Sequence, residues 1–235
     1  MRPEVNDEEP DLAAREARSL CFVEQLEVAT PRLLAVDPTG DDAGVPALLM
    51  TYLPGRLDWS PSDMERWLHS LADLLPRIHS AELPAPRAIP AFAPDTPSNW
   101  EPPPWARRPR IWERAIEIYH RQPPDLAAVF LHGDFHPGNV LWRRGVVSGI
   151  VDWQGACVGP SSRDVAHCRA NLFAFGLDVA DRFTRIWERL TSECFHPWAE
   201  LIGIIGDLHS LREEPPHRDD VITEEVLGRA LAQLG

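Results

Sequence analysis

The apolar positions Leu12, Ala13, Ala17, Leu20 and Val23 recur at helical spacing, and Pro10-Asp11 just ahead of them is a helix start signal. They predict an amphipathic helix that carries Glu16 and ends near Leu26. Two apolar runs, 31–36 and 46–52, flank an Asp-, Pro- and Gly-rich stretch over 37–44 and read as strands joined by a turn. Leu53-Pro54-Gly55 ends that pattern, since proline offers no N–H to a ladder and glycine no side chain to pack, and we take it as a lobe boundary. Beyond it Leu68, Leu71, Leu74, Leu75 and Ile78 return to helical spacing, as do 111–120 and the set Val179, Phe183, Ile186, Trp187 and Leu190. Segments 198–212 and 223–234 read as further helices. Nine prolines between 84 and 109 exclude a regular element there and predict a long loop or flap. A small mixed piece, 1–52, thus precedes a larger, mainly helical one, 53–235, in an α+β chain.

Composition narrows the function. The chain has 235 residues with 44% apolar and 25% charged positions, ordinary values for a globular fold. Its net charge of −13 repels a phosphate backbone, so a nucleic-acid partner is not expected. Every basic residue is arginine, which removes any mechanism that needs a lysine. The longest apolar stretches, around 45–53 and 201–205, fall short of the roughly 20 residues that span a bilayer. No membrane association is expected. Cys21, Cys157, Cys168 and Cys194 are widely spaced without a C-x-x-C pair, which reads as free thiols in a cytoplasmic protein.

The chemistry concentrates in one stretch. His132-Gly133-Asp134-Phe135-His136-Pro137-Gly138-Asn139 leads into two short β-branched runs around Arg143-Arg144-Gly145, and the second run ends at Asp152. This is a hairpin signal. With its turn near Gly145, residues whose numbers sum to about 291 face one another, so Asn139 is expected opposite Asp152 with Asp134 beside the same opening. Convergent carboxylate and amide oxygens suit Mg²⁺, and a carboxylate next to such an ion can take a proton from a hydroxyl. His-x-Asp-x-x-x-x-Asn followed by a strand-end Asp is an arrangement used in phosphoryl transfer, with His132 fixing the loop by hydrogen bonding.

On these motifs the chain resembles the aminoglycoside phosphotransferase family, protein-kinase-like enzymes, choline-kinase-like ones among them, that phosphorylate small molecules. Arg15-Glu16-Ala17, Leu49-Met50-Thr51-Tyr52-Leu53-Pro54-Gly55, Gly159-Pro160 and Asp164-Val165-Ala166-His167 add to the resemblance, which runs from about Pro10 to the region of residue 210. The resemblance implies a two-lobed protein-kinase-like fold hinged over 51–55. Asp134 is then the catalytic base, and Asn139 and Asp152 are the magnesium ligands. The backbone of Thr51, Tyr52 and Leu53 meets the adenine of ATP, Glu16 pairs with a phosphate-binding basic residue, and Asp164 braces the catalytic loop. The implied reaction moves the γ-phosphoryl group of ATP to a hydroxyl of a small molecule, possible acceptors including aminoglycosides and other cationic compounds.

Family members begin with strands that carry a nucleotide-covering loop and a basic residue, whereas this chain starts essentially at the following helix. We therefore expect a truncated N-terminal lobe, either in a shortened chain or in a protein with a reduced lobe. Two strands alone form a marginal sheet with an exposed edge, so self-association through that edge is a further expectation. Two other readings stay open: a non-catalytic kinase-fold remnant that binds a metabolite or partner, and a metal-dependent hydrolase using His132, Asp134 and His136. The acids Asp207, Glu213, Glu214, Asp219, Asp220, Glu224 and Glu225 read as a solvated surface or as an acidic wall that attracts a cationic acceptor.

Overall fold

The computed structural model describes residues 12–83, 88–94, 100–121, 124–206 and 220–235. Pro10 and Asp11, the start signal of the first helix, lie outside the described residues, as do Asp207, Glu213, Glu214 and Asp219. The elements run α1 (Leu12–Val23), β1 (Leu33–Asp37), β2 (Ala47–Met50), α2 (Met64–His79), α3 (Pro109–Tyr119), β3 (Ala128–Leu131), β4 (Val140–Arg143), β5 (Val146–Ile150), β6 (Cys157–Pro160), α4 (Ser162–Leu172), α5 (Leu177–Thr191), α6 (Trp198–Ile205) and α7 (Asp220–Leu234). The mixture of helices and small sheets matches the expected α+β class. None of these helices is long and apolar enough to cross a membrane, and all four cysteines are free thiols.

The strands form three antiparallel pairs, β1–β2, β3–β6 and β4–β5. In the first, the Asp37 carboxylate accepts the backbone N–H groups of Asp41, Asp42 and Ala43 and so closes the turn the sequence suggested. In β4–β5 the turn residues Arg144 and Gly145 both have positive φ, 53° and 75°, the pattern of a two-residue type I′ hairpin. Val140 faces Ile150 and Arg143 faces Val146. This register is one to two residues tighter than the sum of 291: the two-residue loop sets it at 289 next to the turn, and a bulge between Leu141 and Trp142 sets it at 290 beyond. Asn139 therefore lies opposite Val151, whose N–H donates to the Asn139 carbonyl at 3.0 Å, and Asp152 projects one residue beyond the ladder.

The β3–β6 pair had no sequence signal, yet it positions the site. β3 runs directly into the His132 loop and β6 directly into α4, so their pairing, Leu131 against Cys157, places the start of α4 beneath that loop. A single apolar cluster extends from Leu20 and Val23 of α1 through Leu71, Leu75, Trp112, Phe130, Trp153, Phe183 and Trp187 to Leu227 of α7. Trp153 is wholly inside this core, packed on Phe130 and His132.

Three buried charged side chains, Arg169, Glu200 and Glu224, organise the helical part. Arg169 donates from Nε to Glu200 Oε1 at 2.6 Å and from Nη1 to the Ala180 carbonyl, joining α4, α5 and α6. Burial pushes the Glu200 carboxyl above its ordinary range while Arg169 opposes the rise. Glu224 is 4% exposed, not part of a solvated surface. Its Oε1 accepts the N–H groups of Arg107 and Arg108 and the Trp112 indole, so α7 supplies the cap that α3 lacks in its own sequence.

Leu34, Val36 and Leu49 of the β1–β2 pair are exposed. Self-association through this edge is tested by sedimentation velocity. The expected result is a sedimentation coefficient that rises with concentration, and a rise that Leu34→Lys with Leu49→Lys removes; a constant value counts against it.

Candidate active site

The loop that carries Asp134 is held from below by one carboxylate. Asp164 sits in the first turn of α4 and is fully buried. Its Oδ2 accepts the His132 N–H at 2.9 Å and meets His79 Nε2 at 3.1 Å, and its Oδ1 accepts the Gly133 N–H at 2.9 Å. Asp164 thus caps another segment's backbone and not its own helix. Burial alone would raise its pKa, but the His79 hydrogen bond and charge, His132 and the Gly133 N–H together hold it below the usual carboxylate range.

His132 ties the loop to the end of β5. Its ring is buried, with Nε2 3.1 Å from the Val151 carbonyl and Nδ1 accepting the Asp134 N–H at 3.3 Å. That pair of contacts assigns the neutral tautomer protonated on Nε2, and burial lowers the pKa against the pull of nearby carboxylates. Gly133 has φ +81°, and a Cβ there would lie 1.9 Å from the Gly155 carbonyl oxygen. Gly155 in turn backs onto the Asp134 N–H. The Asp134 loop and the 3₁₀ turn Trp153–Gly155 therefore touch backbone to backbone, which only glycine permits.

Asp134 emerges from this platform half-buried. Its Oδ2 accepts from Asn139 Nδ2 at 3.0 Å, and the same amide donates to the Asp134 carbonyl at 2.9 Å. Its Oδ1 is 2.7 Å from His167 Nε2, while His136 Nε2 stands 3.8 Å from Oδ2. Burial raises the Asp134 pKa, but His167, His136 and His132 outweigh it, so the carboxyl lies below its ordinary range and is ionised at neutral pH. With Nδ2 turned to Asp134, the buried Asn139 carries its Oδ1 on the other side of the amide.

Asp152 is exposed and occupies the left-handed region, φ 65° and ψ 66°. A non-glycine residue there costs roughly 1–3 kcal/mol and is typical of functional positions. Glu16 lies next to it. Burial and the Asp152 charge raise the Glu16 pKa, with the Trp153 N–H opposing. Among the described residues Glu16 makes no ion pair with a basic side chain, so the partner implied for it is not found. The hinge residues stand apart from this group. Thr51 exchanges hydrogen bonds with the Arg32 backbone, Tyr52 is 83% exposed, and Leu53 packs at Gly149.

The structure therefore brings together His132, Asp134, Asn139 and Asp164 in one hydrogen-bonded unit, with Asp152 and Glu16 at its edge. The His132–Asp134–His136 metal set does not form, because the His132 ring is committed to Val151 and to the loop backbone. His167 takes its place: Asp134, His136 and His167 offer donor atoms within 4.8 Å of one another. His167 had a signal, three residues after Asp164 and so on the helix face that meets the loop. His79, 85 residues from Asp164 in the chain, had none.

Comparison with known proteins decides the family. The profile of the APH phosphotransferase enzyme family matches residues 1–201. The chain belongs to this family. A homoserine kinase of Chelativorans sp. (strain BNC1) is 28% identical over 167 residues, 62% of this chain and 47% of that protein, so the chain matches about half the length of this curated relative. A thermostable mutant of aminoglycoside phosphotransferase APH(4)-Ia, in ternary complex with AMP-PNP and hygromycin B, superposes with TM-score 0.64 at 16% identity over 94% of this chain and 82% of that one. The GDP complex of aminoglycoside 2′-phosphotransferase-IIIa gives 0.57 at 16% identity, covering 96% and 83%. Macrolide 2′-phosphotransferase MphH from Brachybacterium faecium gives 0.51 at 17%, covering 95% and 74%. The chain shares the kinase-like fold of these structures.

Asp164→Ala is expected to cost about 3–5 kcal/mol at pH 7 by denaturant titration, since it strands His79 and two buried N–H groups. A carboxyl whose folded pKa is depressed stabilises above its unfolded pKa of about 3.9 and loses that stabilisation as pH falls through the folded value. The deficit of the variant should accordingly shrink below pH 4, and a pH-independent deficit would contradict the assignment.

Proposed function

We propose that the chain transfers the γ-phosphoryl group of ATP, with Mg²⁺, to a hydroxyl of a small molecule. The observation that carries this reading is the ionised Asp134 carboxylate, fixed by Asn139 and His167 at the mouth of a braced loop beside Asp152. The donor set fits the cation. The Asn139 amide oxygen and the exposed Asp152 carboxylate are hard oxygen donors, and neither is consumed by a described cationic partner. When bound, Mg²⁺ supplies charge neutralisation on the phosphate oxygens.

The remaining work falls to the chain. Asp134 orients the acceptor hydroxyl and accepts its proton as the oxygen bonds to the γ-phosphorus and the bond to the departing ADP oxygen breaks. His167 and Asn139 hold the two carboxylate oxygens in one orientation, a positioning contribution that needs no rearrangement during reaction. His132 and Asp164 keep the loop from moving against the Asp152 turn. The hinge backbone at Thr51, Tyr52 and Leu53 would take the adenine. Division of the chain at 51–55 into a nucleotide-facing lobe and a helical catalytic lobe, and a cytoplasmic setting, complete the proposal.

The Asp134–His136–His167 cluster favours a second reading, a metal-dependent hydrolase. Elemental analysis separates the two: stoichiometric zinc retained through purification would support the hydrolase.

Calorimetry of ATP with and without Mg²⁺ tests the first reading. Magnesium-dependent binding is expected in the wild type and is expected to be lost in Asp152→Ala. Asp134→Asn is expected to keep nucleotide binding and lower phosphoryl transfer by about 10²–10⁴-fold. Nucleotide binding that ignores both magnesium and Asp152 would sink the proposal.

A further inference from the structure

On one face of α4, Arg163, His167 and Asn171 follow one another at four-residue intervals, and all three line a cavity of about 440 Å³ closed by Phe92, Ile202 and Gly203. His167 belongs to the catalytic cluster through its 2.7 Å contact with Asp134, so the cavity opens beside the proposed base. Arg163, half-buried, is unlike the buried Arg169 of the same helix. Arg169 spends its guanidinium on Glu200, Asp181, Thr184 and the Ala180 carbonyl. Arg163 has its Nε and Nη1 buried with no hydrogen-bond partner among the described residues, and its guanidinium stands over the Phe92 ring, 5.6 Å from the centroid.

Buried donors on a permanent cation are costly to leave unmade, and such a group in a native fold calls for a missing partner. Water alone would satisfy it in a polar cavity, but the lining adds a directional argument. No acid lines the cavity among the described residues, so Arg163 gives it a positive wall. The planar guanidinium matches a carboxylate with two parallel hydrogen bonds, while the Phe92 face keeps the group from reorienting toward bulk water. Residues four apart on a helix stand about 5–6 Å from one another at Cβ. A ligand whose anionic end meets Arg163 therefore places a group a few carbons away at His167 and Asp134.

We propose that this cavity is the acceptor site and that the acceptor is a short hydroxy acid, its carboxylate on Arg163 and its hydroxyl at Asp134. The inference rests on the phosphotransferase reading for the identity of the hydroxyl, and it replaces the cationic acceptor suggested by the family resemblance and the C-terminal acids with an anionic one. Arg163 sets specificity and His167 positions the base.

The test measures binding and transfer separately. Calorimetry compares 4-hydroxybutyrate and L-homoserine with their carboxylate-free counterparts, 1,4-butanediol and L-homoserinol, in the wild type, Arg163→Gln and Arg163→Lys; transfer from ATP to each compound is followed in parallel. The expected result is binding of at least one acid, about 10–100-fold weaker for its alcohol. Arg163→Gln should lose the acid to the same extent and leave ATP binding intact, and Arg163→Lys should recover part of the loss. The acid-against-alcohol comparison in the wild type needs no variant, so a misfolded Arg163→Gln does not spoil it. Equal binding of acid and alcohol, or binding of neither acid, overturns the anionic site. Acid binding without transfer, in a protein that also fails to transfer to the alcohols, retains the anionic site and overturns the phosphotransferase reading instead.

Discussion

The buried carboxylate of Asp164 is the constraint on which the site depends. Three hydrogen-bond donors from two distant parts of the chain, His79 on α2 and the His132 and Gly133 backbone, converge on its two oxygens. An ionised carboxylate in an apolar core is tolerated only with that many partners, and each partner is thereby located. The loop that bears Asp134 has no ladder of its own, and its position follows from this one acceptor. Through His132 the same constraint reaches Val151, and through Val151 the residue that precedes Asp152. The proposed base Asp134 and its neighbour Asn139 are thus held in one hydrogen-bonded chain that begins in the core, and Asp152 follows directly on its far end at Val151.

Much of this was legible in the sequence, for a definite physical reason. The His132–Asn139 stretch folds by local rules: a glycine where φ must be positive, a His136 side chain that accepts the Gly138 N–H, and a two-residue turn that returns the strand. Local rules leave local signatures. The helices over 64–79, 109–119 and 177–191 were equally readable, since each buries one face of a regular pattern. What could not be read were pairings between segments with no fixed spacing. The β3–β6 ladder, the His79 contact and the Glu224 cap each join residues about 30 to 117 positions apart, and nothing in either partner's own neighbourhood announces the other.

The hairpin register shows how sensitive such reasoning is to a single residue. An arithmetic that centred the turn on Gly145 placed Asn139 opposite Asp152, while the I′ turn and the bulge between Leu141 and Trp142 put Asn139 opposite Val151. The shift places Asp152 outside the ladder, free of strand geometry and able to take its left-handed conformation. Electrostatics were legible only in bulk. A net charge of −13 argued against a nucleic-acid partner and the C-terminal acids suggested a cationic acceptor, yet Arg163 gives the cavity beside Asp134 a positive wall. Net charge describes the far field, and a binding site is decided by the few charges that line it.

The contact between Gly133 and Gly155 has a consequence for how the protein can move. With a Cβ-sized space eliminated between the two loops, neither can slide without unstacking the other. The segment around Asp134 and the segment after Asp152 form a single rigid plate, so any opening or closing during turnover has to be carried at its periphery. Gly55, pressed against Ser148 and Leu141, marks where the preceding chain meets that plate. The Asp134 loop and the turn after Asp152 can therefore shift only together.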